Sequence, residues 1–341
     1  MLSRRAPARV AWDTTTMSPD VQPIARPEID AARARLQGLS LLSPLIACEA
    51  APAGKTVALK LENLQPIGSF KIRPVGNAVL SRARSAVSRG IYTTSSGNSA
   101  AALAWMARRL GIAATAVVPV DAPQVKLANL RRLGARIDMR PVEEWWRAIE
   151  TGSLEDQQGL YIDAVRDPAS LAGDATIGCE ILEQWPQTQA VLVPFGGGGL
   201  ACGIACAVRA LGAGAKVIAC ELETAHPLKA ALEAGAPIQT RHEPGFVSGV
   251  GYGCVLPEMW PLVSTLIEAV ITVSLAEVAA AIKLLAERHR VVAEGAGAVS
   301  VAAALSGRYR QTSVCAVVSG GNLDSRMLAT ILQGGVPSAI G

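Results

Sequence analysis

The sequence predicts an α/β fold of two three-layer domains with mostly parallel sheets. From about Thr56 onward, short β-branched apolar runs alternate with alanine- and leucine-rich stretches of helical period. The chain has 341 residues, enough for two sheets with cores of their own. Half of the residues are apolar and 18% are charged, which excludes disorder and a coiled coil.

The predicted strands are Val57–Leu61, Ile91–Thr94, Thr115–Pro119, Arg136–Met139, Ala190–Pro194, Lys216–Cys220, Ala269–Val273 and Val314–Val318. Helical periodicity marks Ser99–Leu110, Gln124–Leu133, Ser170–Glu183, Ala201–Leu211, Pro227–Ala234, Leu275–Arg288, Ala296–Leu305 and Asp324–Leu332. The first twelve residues hold three arginines and no apolar stretch of the export type, so residues 1–24 are expected to be a disordered tail. The uncharged run Gln184–Val208 is broken by glycines and two prolines, so no membrane span is expected. A net charge of +4, evenly spread, gives no reason to expect nucleic acid as a partner. Seven cysteines, an odd number without a CxxC pair, read as reduced core residues of a cytoplasmic protein.

Four segments carry chemistry. Val193-Pro194-Phe195 runs into Gly196, Gly197, Gly198 and Gly199, and then into a helix. Successive glycines let backbone N–H groups converge, and the helix adds its positive end, so the loop reads as a phosphate cup. No Lys-Ser/Thr pair follows, which excludes a Walker loop. Lys71, in Gln65-Pro66-Ile67-Gly68-Ser69-Phe70-Lys71-Ile72-Arg73, follows a turn in an apolar, hydroxyl-lined setting. Desolvation there favours the neutral amine, which can attack an aldehyde and form a Schiff base. Thr94-Ser95-Ser96-Gly97-Asn98-Ser99 opens a helix and offers hydroxyls and free N–H groups to a carboxylate. Val318-Ser319-Gly320-Gly321-Asn322 is a further strand end with a hydroxyl. Each segment alone has an ordinary alternative as a tight turn, a surface lysine or a helix cap.

Together and in this order, the four segments resemble the fold-type II pyridoxal-phosphate enzymes of the tryptophan synthase β-like superfamily. The resemblance is to the serine/threonine dehydratase and serine racemase branch and spans about Leu36 to Leu332. It implies that Lys71 joins pyridoxal 5'-phosphate, that Phe70, Gly249, Glu294 and Gly320 line the cofactor, and that Ser319 faces its pyridine nitrogen. Gly196, Gly197, Gly198, Gly199 and Leu200 would hold the phosphate; Ser95, Ser96, Gly97, Asn98 and Ser99 the substrate carboxylate, with Asn98 also reaching the ring hydroxyl. In the racemases the position of Ser96 works the second face of Cα. The implied organisation is a small domain, 89–166, and a large one, 25–88 with 167–341, with the cofactor in the cleft between them. The implied reaction is elimination of water from a β-hydroxy amino acid to give a 2-oxo acid and ammonia, in a homodimer. Racemisation, β-replacement and a non-catalytic binding protein are the alternatives.

This chain departs from the family pattern at Ile67, at Arg73-Pro74-Val75, at Ser99 in place of an imidazole, and at Glu294-Gly295. The departures leave room for a β-hydroxy amino acid other than serine or threonine, bulkier or more polar at Cβ, and no residue chooses among these substrates. Glu221, Ala225 and Pro227 stand where some members bind a divalent cation; proline supplies no side-chain oxygen, which argues against a metal here.

Overall fold

The computed structural model describes residues 20–154 and 156–338. Its strands are β1 (Leu45–Ala47), β2 (Thr56–Leu61), β3 (Ile91–Thr94), β4 (Ala114–Pro119) and β5 (Arg136–Arg140). They continue with β6 (Leu160–Tyr161), β7 (Ala190–Pro194), β8 (Lys216–Leu222), β9 (Ala269–Val273) and β10 (Ser313–Val318). One sheet has the order β1-β2-β10-β7-β8-β9 and the other β5-β4-β3-β6. Every pairing is parallel except β1 with β2. Helices cover both faces of the larger sheet, which is why a strand such as β7 is apolar and buried throughout. Alternate residues serve opposite cores: Val191 and Val193 face one, Ala190 and Leu192 the other.

The eight predicted strands lie within the observed ones or match them. β1 and β6 escape notice because three and two residues carry no readable period. The helix Ile72–Leu80 was also not predicted, because it contains Pro74 and Gly76. Pro74 falls in the first turn, where no intrahelical donor is lost, and Gly76 makes room for Leu39. Arg26–Leu36 hides its three buried residues, Ile29, Ala32 and Leu36, among charges. The predicted helix from Leu275 ends at Leu284 and passes into a π-helical turn, Leu285–His289. Of the expected N-terminal tail, residues 1–19 lie outside the described residues. Val21 and Ile24 correct the rest: both are buried in the larger core, and the Val21 N–H donates to the Glu258 carbonyl at 2.9 Å. Apolar side chains at the end of a polar segment found cover there. Among the described residues no helix is long and apolar enough to cross a membrane.

A buried ion cluster fixes the start of Ile72–Leu80. The Arg73 guanidinium donates to both carboxylate oxygens of Glu62, at 2.8 and 2.9 Å, and to both of Glu180, at 2.6 and 2.8 Å. Lys60 donates to Glu180 at 2.6 Å, and the Ser43 hydroxyl to Glu62 at 2.6 Å. Burial alone would raise the Glu62 pKa, yet the facing guanidinium holds it below the ordinary carboxylate value. Two cations and two anions close the cluster, so no charge in it is left without a partner. Gly173 permits the approach, since a Cβ there would lie 2.4 Å from the Arg73 carbonyl oxygen. Arg73→Ala strands two buried carboxylates and is expected to lower unfolding free energy by about 3–5 kcal/mol, read from guanidinium unfolding curves.

Candidate active site

Lys71 is the last residue before Ile72–Leu80, so the ion cluster two residues later sets where its side chain starts. Its Nζ donates to the Ala164 carbonyl at 3.2 Å and stands 4.8 Å from the Phe70 ring centroid. Burial pushes the ammonium pKa down, against the pull of Asp174 and Asp163. The turn before it is zipped to the end of β10: the Phe70 N–H donates to the Ser319 carbonyl at 3.0 Å, and the Gly321 N–H to Gly68 at 2.9 Å. The lysine and serine segments therefore form one rigid unit, with Ser319 buried.

The glycine loop leaves β7 at the same sheet edge. Gly198 takes φ 94°, open only to glycine without strain, and turns the chain into Gly199–Ala210. No side chain caps that helix, so its first N–H groups are available to an anion. Gly196 rests against the Gly249 carbonyl and the Tyr252 ring, and Leu200 is buried beneath.

Ser95, Ser96, Gly97, Asn98 and Ser99 leave β3 of the smaller sheet and face the first group across a cleft. The Ser95 hydroxyl accepts the Gly97 N–H at 3.1 Å, and Gly97, not a hydroxyl or amide residue, caps the helix Asn98–Leu110. Asn98 bridges the sheets: it donates to Glu294 at 2.6 Å and accepts from Asn322 at 2.8 Å. Glu294 precedes Gly295–Ser306, and its N–H donates to the Gly320 carbonyl at 3.0 Å. Burial raises the Glu294 pKa to about 7, against the opposing effects of the Asn98 amide and Lys126. Two further contacts span the cleft, Lys126 to the Ser248 hydroxyl at 3.3 Å and Trp146 edge-on to Tyr252 at 6.4 Å.

Glu221 stands apart from these residues. Its carboxylate accepts the Leu228 and Lys229 N–H groups at 2.8 and 3.0 Å and so caps the helix Pro227–Ala234, while Ala225 bridges back to Leu222. Among the described residues no group of three or more His, Cys, Asp or Glu is placed to hold a metal. Three participants were not identified from sequence: the Ala164 carbonyl, Asn322 as a bridge, and Asp174. Only Asp174 left a trace, as the single charge in the run Pro168–Cys179.

The profile of the family described as pyridoxal-phosphate dependent enzyme matches residues 40–320. An L-threonine ammonia-lyase of Geobacter sulfurreducens is 34% identical over 84% of this chain and 72% of that protein. The serine racemase of Homo sapiens is 34% identical over 80% of this chain and 82% of its own length. The structure of maize serine racemase superposes with a TM-score of 0.83 at 29% identity, over 92% of this chain and 98% of that one.

Because native Glu294 keeps its proton up to about pH 7 and an ordinary glutamate releases it near 4.5, the folded state binds more protons between those values. Stability contributed at this position therefore falls as pH rises through that window. Glu294→Gln is expected to flatten this decline in guanidinium midpoints measured at stepped pH.

Proposed function

The chain belongs to the pyridoxal-phosphate dependent enzyme family, and on that footing we propose that it is a dehydratase, removing water from a β-hydroxy amino acid to give a 2-oxo acid and ammonia. The observation that carries this reading is the convergence of a desolvated lysine, a glycine loop with an uncapped helix start, and a hydroxyl-lined helix start at one cleft. The residues suit the cofactor: an amine biased toward its neutral form for the aldehyde, and free N–H groups for the phosphate. When bound, pyridoxal phosphate supplies the electron sink for negative charge at the substrate Cα.

In this reading Lys71 would hold the cofactor, and its amine, when free, would take the substrate Cα proton as general base. Gly196 through Gly199 anchor the phosphate, and Phe70, Leu200, Gly249 and Gly320 line the cofactor's surroundings. Ser95 to Ser99 orient the substrate carboxylate, and Asn98 ties that orientation to Glu294 and Asn322. Ser319 would offer the ring nitrogen a neutral partner, with which the cofactor would supply a milder electron sink. Residues 89–166 act as the smaller, closing domain, and closure excludes water from the proton transfer.

A second reading, racemisation, is favoured by Ser96 within the carboxylate loop and by the human serine racemase likeness. A homodimer in the cytoplasm completes the proposal. Exposed Leu41, Leu42 and Leu64 offer it an apolar face, and seven free thiols suit a reducing compartment.

Lys71→Ala is expected to lose the visible absorbance of bound cofactor and to cut ammonia release by at least about a hundredfold, while borohydride reduction of the native enzyme tags the tryptic peptide holding Lys71. Across a panel of β-hydroxy amino acids, 2-oxo acid formation is expected to favour substrates larger or more polar than threonine. Ser96→Ala is expected to abolish the deuterium-labelled D-serine formed from L-serine, followed by chiral separation and mass spectrometry, while 2-oxo acid output falls less steeply because Lys71 and the rest of the carboxylate loop remain.

A further inference from the structure

Asp174 lies in the helix Pro168–Gln184, fully buried, and neither carboxylate oxygen has a hydrogen-bond partner. It sits where two helices nearly touch: a Cβ on Gly203 would lie 2.5 Å from the Asp174 Cβ. Its Oδ2 approaches Gly199, the first residue of the helix after the glycine loop, since a Cβ there would be 3.3 Å from Oδ2 and 3.4 Å from the Ala164 carbonyl oxygen. That same carbonyl accepts from Lys71 Nζ at 3.2 Å. The Ala164 carbonyl thus connects the lysine to the helix start that Asp174 abuts.

A lone buried carboxylate is costly, and its environment must supply either a cation or a proton. Two cations face it. Arg73 is saturated by Glu62 and Glu180, which leaves Lys71. The other groups facing the pair are Glu62 from the turn after β2, Cys202 from Gly199–Ala210, and Asp163 from the segment after β6. Glu62 and Asp163 add negative charge, and the Cys202 thiol is held protonated by burial.

We propose that Asp174 is the charge partner of Lys71, coupled to it through the buried interior and not by direct contact, the hydrogen bond of Lys71 going to the Ala164 carbonyl. Either the Lys71 ammonium stands with the Asp174 carboxylate or a neutral amine stands with a neutral carboxylic acid, so the pair carries no net charge in either form. Burial raises the Asp174 pKa to about 8 and lowers that of Lys71, which brings the two forms toward balance. Asp174 is a positioning residue for the Lys71 nitrogen, and the inference rests on Lys71 as the point of cofactor attachment.

The test follows the visible absorbance of the holoenzyme against pH. Asp174→Asn is expected to lower the upper titration midpoint of the cofactor-bearing nitrogen by about one to two pH units, while Asp174→Glu stays near the native curve. Superimposable native and Asp174→Asn curves, from a variant with unchanged thermal unfolding, overturn the proposal. Should Asp174→Asn not fold, the coupling is read from the other side by infrared spectroscopy of Lys71→Ala. Without the cation, the carboxylic acid band is expected to persist to higher pH than in the native protein, and an unchanged band overturns the pairing. The borohydride-tagged peptide separates the two failures: a tag away from Lys71 removes both readings, whereas a tag on Lys71 with unmoved midpoints removes only the role of Asp174.

Discussion

The Arg73 guanidinium, gripped on both edges by Glu62 and Glu180, is the constraint on which the rest of the site depends. It stands two residues beyond Lys71 and joins the turn after β2 to the helix Pro168–Gln184. A side chain on a loop drifts; one anchored to a saturated ion cluster does not. Because the pairs are complete, the cluster tolerates burial, and because each partner is needed for completeness, the geometry has a single solution. Gly173 lets the helices close on it, and Lys71 inherits the precision.

Around that anchor the fold supplies the other half of the site from a separate sheet. β3 carries Ser95 to Ser99, while β7 and β10 carry the glycine loop and Ser319, all at carboxyl ends of parallel strands. Asn98 reaches from one sheet to Glu294 and Asn322 on the other, so orientation of the small helix start is coupled to the residues lining the opposite wall. Lys126 with Ser248 and Trp146 with Tyr252 repeat the connection farther out. A set of modest contacts of this kind can break and remake at low cost, as a cleft that admits substrate requires.

Much of this was legible because the chemistry is local in the chain. A glycine run after a strand, a lysine after a turn and a hydroxyl-rich helix start each declare themselves within ten residues. The strands of the larger sheet are legible for the same reason, each an unbroken apolar run. The helix Ile72–Leu80 was not, since its proline and glycine are breakers in isolation and become acceptable only through a first-turn position and a neighbouring Leu39. Nor was the significance of Asp174 legible, because whether a charge in an apolar helix is solvated or trapped depends on Gly199 and Gly203, elements distant in the chain. Asn322 likewise acquires its role from Asn98, across 224 positions.

The pairing of β2 with β10, Thr56 beside Ser313, bears on how the polypeptide assembles as it emerges from the ribosome. All four strands of the smaller sheet arise between Ile91 and Tyr161, so that sheet has its complete set of partners while the C-terminal half is still untranslated. β2, made earlier, must wait for the last strand before its central neighbour exists. Nascent chains paused between these points present an apolar ribbon with an unsatisfied edge, the form of intermediate that holdase chaperones bind.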